Sequence, residues 1–447
     1  LNIEEGVTVR FDLGTGMTCN GTLTAQGTEE DRILFTTLSA TPLPGDWDNV
    51  ALYATDNTIS YLDYEYASDG FTGELASNSS FDHVTMNTMS LEANGIYLSN
   101  SMNMSFSENT ISAAGVYGIY CHNCDFSDYM SNTITGPDNG IHGQLSSNSN
   151  FISNNIEVQG DYAIDAYDCD FSHIDSNIVR GYGDGVEYGI RAHDSYYVNI
   201  EHNDIEDFRE HGIYFQNSAN AIVNYNRLTE ADNGDGKSGI YNSASNQFAQ
   251  VNYNYIDLTI NTSLCNYCSH YKRGIEVHDS EVIGDSIFVY VGSTNYFTGI
   301  ALRADRSTIQ DNYVRIEDHR DYGGISLAIE SYGDGAPRHT ISNNTIEATR
   351  ESRGIWASYA DIENNHISNW SNNNNDEWAI GHGDYNVIRN NTILGFRDGI
   401  YVDDRWSNEI SGNYIETRNY GIYANNSKGD HIIENNTFNK YTGDGDW

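Results

Sequence analysis

Residues 109–120 read Asn-Thr-Ile-Ser-Ala-Ala-Gly-Val-Tyr-Gly-Ile-Tyr, and residues 132–142 read Asn-Thr-Ile-Thr-Gly-Pro-Asp-Asn-Gly-Ile-His. Two anchors return together, Asn-x-Ile and then Gly-Ile. A Gly/Ala-Ile step recurs with its Ile at 96, 119, 141, 164, 190, 213, 240, 275, 300, 325, 355, 380, 400 and 422, a mean period of about 25 residues. Asn-x-Ile or a close variant precedes most of these steps, as at Asn203-Asp-Ile205, Asn254-Tyr-Ile256, Asn344-Thr-Ile346, Asn391-Thr-Ile393 and Asn413-Tyr-Ile415.

Neither anchor has helical spacing. Each sits in a short run that alternates apolar and polar residues and is bounded by Gly, Asn, Asp or Ser, as short strands are. Two or three such strands per repeat, with no helix between them, make an all-β parallel solenoid of roughly 16–18 coils of about 22–25 residues. Coils stack about 4.8 Å apart, Ile upon Ile. The Asn side chains are expected to bond to one another along the stack. Residues 1–447 then form one domain, with opening coils over 1–70 and the regular repeat over 71–447. Long Gly-Ile intervals place insertions at about 257–273 and 330–350. Phe438 is followed by Gly443-Asp-Gly445, the loop type that elsewhere leads to the next Gly-Ile. The repeat is therefore expected to continue beyond residue 447, or to associate end to end with another copy.

Asp and Glu number 64 against 22 Lys and Arg, a formal charge of −42. Such a surface repels nucleic acid and anionic membranes and suits a salt-rich or cation-rich exterior. No apolar run reaches about 18 residues, so no membrane span is expected. Cys121-His-Asn-Cys124 and Cys265-Asn-Tyr-Cys268 read as local disulfides or buried thiols rather than metal ligands. Asp232-Asn-Gly-Asp235 combines carboxylates with a tight turn, which makes Asp232 and Asp235 the candidate Ca²⁺ ligands. No other cofactor is called for.

The coils resemble those of the pectate-lyase-like superfamily. The segments Gly6-Val-Thr-Val9, Gly21-Thr-Leu-Thr-Ala-Gln-Gly-Thr28, Ile33-Leu-Phe-Thr-Thr37 and Gly45-Asp-Trp47 are similar to the opening coils of bacterial and archaeal cell-surface β-helix proteins. The resemblance implies a right-handed parallel β-helix in an extracellular or cell-surface setting. It implies no single activity, because this scaffold carries lyases, hydrolases, epimerases, adhesins and filaments.

With the Ile of each Gly-Ile as position 0, alternation turns +2 inward and +1 and +3 outward. Position +4 is Asn or Asp in coil after coil, as at Asn100, Asn123, Asp168, Asp194, Asn217 and Asp279, and reads as a turn. The +1 column holds Tyr97, Tyr120, Tyr241, Trp356, Tyr401 and Tyr423, aromatic rings on which sugars stack. Within that sheet, neighbouring coils gather His142, Asp165, Arg191, His193 and Tyr214. These types fit uronate β-elimination or C5-epimerisation. Arg191 would neutralise the substrate carboxylate, His193 or Tyr214 would move the proton, and Asp165 would orient a base. In Gly189-Ile-Arg-Ala-His-Asp-Ser195, Asp194 is expected in the turn, with only Arg191 and His193 available for chemistry. Hydrolysis by a carboxylate pair is not expected, because Asp403 has no outward carboxylate beside it. Two function classes remain. One is a non-catalytic surface, filament-forming or adhesive protein that binds polysaccharide, cell-envelope glycans or cations. The alternative is a polysaccharide lyase or C5-epimerase.

Overall fold

The computed structural model describes residues 1–87, 89–112, 115–182, 185–230, 238–242, 248–260, 272–292, 299–319, 326–333, 335, 338–369, 378–381, 383–402, 405–426 and 428–441. These residues form short strands and no helix. Three strands make each coil, and each pairs in parallel with its counterpart one coil further on, giving the expected right-handed parallel β-helix. The chain divides into two compact units, Leu1–Ile222 and Val223–Trp447.

In the first unit, the coil around Ile119 runs Ser105–Ser107 in the first sheet, Thr110–Ser112 in the second and Tyr117–His122 in the third. Its partners in the next coil are in strict register, Phe106↔Tyr129, Ile111↔Ile134 and Ile119↔Ile141. Each column therefore repeats one kind of side chain in the core. Ile119 and Ile134 have no exposed surface, and each such residue contributes roughly 1.5–3 kcal/mol. Phe106 stacks on Tyr129 at 5.0 Å, and Tyr129 on Phe151 at 4.7 Å.

The Asn of Asn-x-Ile lies inside. Asn109, Asn132, Asn154 and Asn177 are buried, and each accepts from the backbone N–H and the Nδ2 of the Asn one coil before it, for the latter three. The Gly of Gly-Ile marks a break in alternation, because two successive residues, Gly118 and Ile119, are both buried. A Cβ on Gly118 would lie 2.6 Å from Ile134 Cγ2 and 2.9 Å from Gly140 O, so the second sheet leaves no room for a larger group. One consequence is that position −2 also faces out. The +4 turns are as expected, with φ of 48–58° at Asn100, Asn123, Asp168, Asp194, Asn217 and Asp279.

In the second unit the anchors run Ile240↔Ile275, Ile275↔Leu302, Leu302↔Ile329 and Ile329↔Ile355. Ile300, expected at position 0, sits at −2 and packs on the outer face with Leu327 and Trp378. The sequence Gly299-Ile-Ala-Leu302 contains two small–large steps, and the second is in register. Ile325 lies outside the described residues, and Ile329 takes its expected place. With these anchors the third-sheet intervals are ordinary, while the interval between first-sheet partners Thr308 and Thr340 is 32 residues, its added length falling between Tyr332 and His339. The rest of the span 330–350 holds parts of the regular strands Ser326–Tyr332, His339–Ser342 and Thr345–Thr349. In the other expected insertion, strands Tyr255–Ile260 and Lys272–His278 flank residues outside the description.

Cys121 and Cys124 form a disulfide, and Cys19 and Cys169 are buried free thiols. Cys265 and Cys268 lie outside the described residues. Among the described residues no helix is long and apolar enough to cross a membrane.

Candidate functional site

The outer face of the third sheet in the first unit carries three columns, at −2, +1 and +3. Alternation alone gave +1 and +3. The bend at Gly-Ile adds Tyr117, Asn139, Tyr162, Tyr188 and His211 at −2, beside Tyr120, His142, Asp165, Arg191 and Tyr214 at +1. The structure thus brings the five sequence-chosen residues into one patch and supplies tyrosines that the sequence reading missed.

Asp165 is the centre of the patch and has no exposed surface. Arg191 Nε donates to its Oδ1 at 2.8 Å, and Nη2 donates to Oδ2 at 2.5 Å. Arg191 Nη1 donates to the Tyr162 hydroxyl at 3.0 Å, and the guanidinium carbon lies 3.9 Å from the Tyr162 ring centroid. His142 Nδ1 lies 2.9 Å from Asp165 Oδ2, while its Nε2 is buried without a hydrogen-bond partner. Burial pushes the Asp165 carboxyl up, but His142 and Arg191 outweigh it and hold the group below the ordinary carboxylate value. The Arg191 edge that could fork onto a substrate carboxylate is occupied by Asp165.

Aromatic rings surround this pair. His142 stacks on Tyr120 at 4.9 Å, Tyr188 meets Tyr214 edge to face at 5.3 Å, and His193 lies between Tyr167 (5.5 Å) and Tyr214 (6.1 Å). The Tyr120 hydroxyl donates to Gln144 Oε1 at 2.9 Å, and the Tyr214 hydroxyl to Gln216 Oε1. Burial pushes the Tyr120 phenol up to about 12. Burial, then Glu187 and Glu210, raise that of Tyr188. Both phenols stay protonated at neutral pH and act as donors. His193 and Asp194 are not separate as expected, since Nδ1 lies 2.9 Å from Oδ2. Asp194 makes the turn and still reaches back to the imidazole.

The expected stacking column has a different geometry. Tyr97 and Tyr120 stack on each other at 4.5 Å and 7°, as do Tyr401 and Tyr423 at 5.0 Å and 10°. Coil spacing turns the ring faces toward one another along the stack. Trp356 meets Trp378 edge to face at 6.1 Å, and Tyr241 is half-buried.

The second unit has its own charged cluster on the same sheet, hidden from the sequence by the misplaced anchors. Arg303 lies 3.9 Å from Glu276, 3.4 Å from Asp305 and 3.7 Å from Glu330. Arg273 pairs with Glu276, and His278 Nδ1 is 3.3 Å from Asp305 Oδ2. Burial raises Glu330 against the pull of Arg303. Burial also raises Asp305, but His278, the Tyr332 N–H and Arg303 bring it below the ordinary value. Nearby His339 is buried, neither ring nitrogen has a hydrogen-bond partner, and burial lowers its pKa to about 4. An NMR titration is expected to show His339 neutral until the pH approaches 4. The unfolded chain takes this proton near 6.5, so the stability from this group is full above that pH and declines as pH falls toward 4. A His339 resonance that titrates near 6.5 contradicts this.

Asp232 and Asp235, the candidate Ca²⁺ ligands, lie outside the described residues, as does Asp403. Among the described residues no group of three His, Cys, Asp or Glu side chains is placed to hold a metal.

A family model described as "Right handed beta helix region" matches residues 70–190 and 298–447, more than half of the chain. A comparison with curated proteins gives no match. Among solved structures, the chain is similar to the PL6 family alginate lyase AlyGC at 11% identity, covering 98% of each chain with a TM-score of 0.34. It is similar to PfbA, a surface adhesin of Streptococcus pneumoniae, at 11% identity, covering 87% and 85% with a TM-score of 0.27. It is also similar to the A-module of the Azotobacter vinelandii mannuronan C-5 epimerase AlgE6 at 12% identity, covering 95% and 91% with a TM-score of 0.27. At these values the likeness concerns the fold alone.

Proposed function

The chain belongs to the right-handed β-helix family, and on that premise we propose that it is a non-catalytic, glycan-binding protein of the cell surface or extracellular space. Its ligand face is the outer face of the third sheet in the first unit. The observation that carries this reading is the burial of Asp165 with both of its oxygens bonded to Arg191. The charges that a uronate lyase or epimerase would aim at its substrate satisfy each other here. Around them, phenol and imidazole rings repeat at the coil spacing of about 4.8 Å. A linear polysaccharide laid across the coils meets one such set per coil. The charge of −42 suits a cation-rich exterior.

The test is calorimetric titration with alginate, pectate and neutral polysaccharides, run beside an absorbance assay for unsaturated uronate product. Binding without product is expected, and Tyr188→Ala or Tyr214→Ala should weaken it by about tenfold. Elimination or epimerisation that disappears in Arg191→Ala replaces this reading with catalysis.

A further inference from the structure

We propose that the outer face of the second sheet in the second unit holds a subsite for a single uncharged pyranose residue. A recess of about 220 Å³ opens there, lined by Asp257, Phe288, Val289, Tyr290, Arg315 and Glu317. It is smaller than the roughly 300–1,000 Å³ that drug-sized ligands occupy, which fits one ring.

Phe288 and Tyr290 lie two apart on the strand Ser286–Val291 and so leave one face about 6.6 Å apart at the backbone. That is roughly twice the contact distance of about 3.5 Å between carbon atoms, the gap that one saturated ring fills. The rings here do not stack as those of the third sheet do. Phe288 is tilted 40° from Tyr255 and 49° from Tyr313, and Tyr290 is tilted 33° from His319. Tyr290 is 39% exposed.

Polar groups bracket these rings. Asp257 lies one coil before Phe288 and Arg315 one coil after it, in direct register. Asp257 and Arg315 are thus about 9.6 Å apart along the stack, with Phe288 between them. Arg315 Nε donates to Glu317 Oε1 at 2.7 Å, so its charge is already met, and Nη1 lies 3.8 Å from Glu347. The Tyr255 hydroxyl donates to Asp257 Oδ2 at 3.4 Å. Asp257, Glu317 and the neighbouring Glu347 outnumber Arg315 and Arg227, the latter in register with Tyr255, so the rim carries excess negative charge that repels a uronate or sulfate and accepts from sugar hydroxyls. Aromatic walls with acceptor carboxylates, and an Arg315 already paired with Glu317, fit a neutral sugar.

The experiment is saturation-transfer NMR on the full chain with oligosaccharides of glucose, mannose and galactose, uronate oligosaccharides, and a protonated amino sugar. Transfer to a neutral sugar is expected. Tyr290→Ala and Asp257→Ala should each weaken it by about tenfold, while the control Thr133→Ala, on the second sheet of the first unit, leaves it unchanged. An unchanged thermal midpoint shows that the variants are folded. The proposal is overturned by no transfer to any neutral sugar, by transfer to the amino sugar alone, or by neutral-sugar transfer that neither second-sheet variant weakens. Binding lost only in Tyr188→Ala overturns this subsite and leaves the third-sheet reading standing.

Discussion

Replacing Asn154 with alanine is expected to destabilise the first unit by on the order of 4 kcal/mol. Asn154 is buried and its amide makes four bonds. Its Oδ1 accepts from Asn132 N at 3.0 Å and from Asn132 Nδ2 at 2.9 Å. Its Nδ2 donates to Tyr129 O at 2.9 Å and to Asn177 Oδ1 at 2.9 Å. Alanine strands these partners where water does not reach, and each orphaned buried group costs roughly 1–3 kcal/mol. A solenoid transmits stability between neighbouring coils, so the loss should appear first around the ladder. Amide hydrogen exchange resolves it: Asn132 and its neighbours lose protection, while the control Thr133→Ala, on the outer face, stays within about 0.5 kcal/mol of the parent. Equal protection in the two variants would mean that the ladder bonds are incidental.

The ladder was legible in the sequence because its chemistry admits few substitutes. Each position must both accept and donate, so Asn returns coil after coil, and the Ile columns return for the matching reason in the core. The outer face was less legible. Strict alternation put position −2 inside and hid Tyr162 and Tyr188, because it takes no account of the two successive inward residues at Gly-Ile. The small–large repeat in Gly299-Ile-Ala-Leu302 placed an anchor two residues early, and so hid Arg303 beside Glu276. Side-chain burial was the third difficulty. Asp165 stands at a position that faces outward by pattern, yet it is enclosed by Arg191, His142 and Tyr162, groups contributed by neighbouring coils and by the −2 column. Turns show the same limit. Phe171 and Tyr197 adopt φ of 56° and 57°, where Asn or Gly is the usual choice. Their rings stack at 5.1 Å, a contact between coils that offsets the local strain and leaves no mark in either local sequence.

Asp285→Asn is expected to do the opposite of Asn154→Ala and to stabilise the second unit at pH 7 by on the order of 2 kcal/mol. Asp285 occupies a ladder position between Asn254 and Asn312. Its Oδ1 accepts from Asn254 N at 2.7 Å and from Asn254 Nδ2 at 2.9 Å, as an amide oxygen would. Its Oδ2 stands where an amide nitrogen belongs and has no hydrogen-bond partner. The next residue in the ladder shows what is missing, since Asn312 Nδ2 donates to Val282 O at 2.9 Å and to Asn344 Oδ1 at 3.0 Å. Burial holds the Asp285 carboxyl well above its ordinary value despite the two Asn254 donors, so the folded chain keeps a proton that the unfolded chain releases near pH 3.9. The stability from this group is therefore full below that pH and is lost as pH rises toward the folded value. The amide has no such proton. The difference in unfolding midpoint between parent and variant should be small near pH 3.5 and widen through pH 7. If the two midpoints run parallel over that range, Asp285 is ionised in the fold and a cation or water must be meeting its second oxygen.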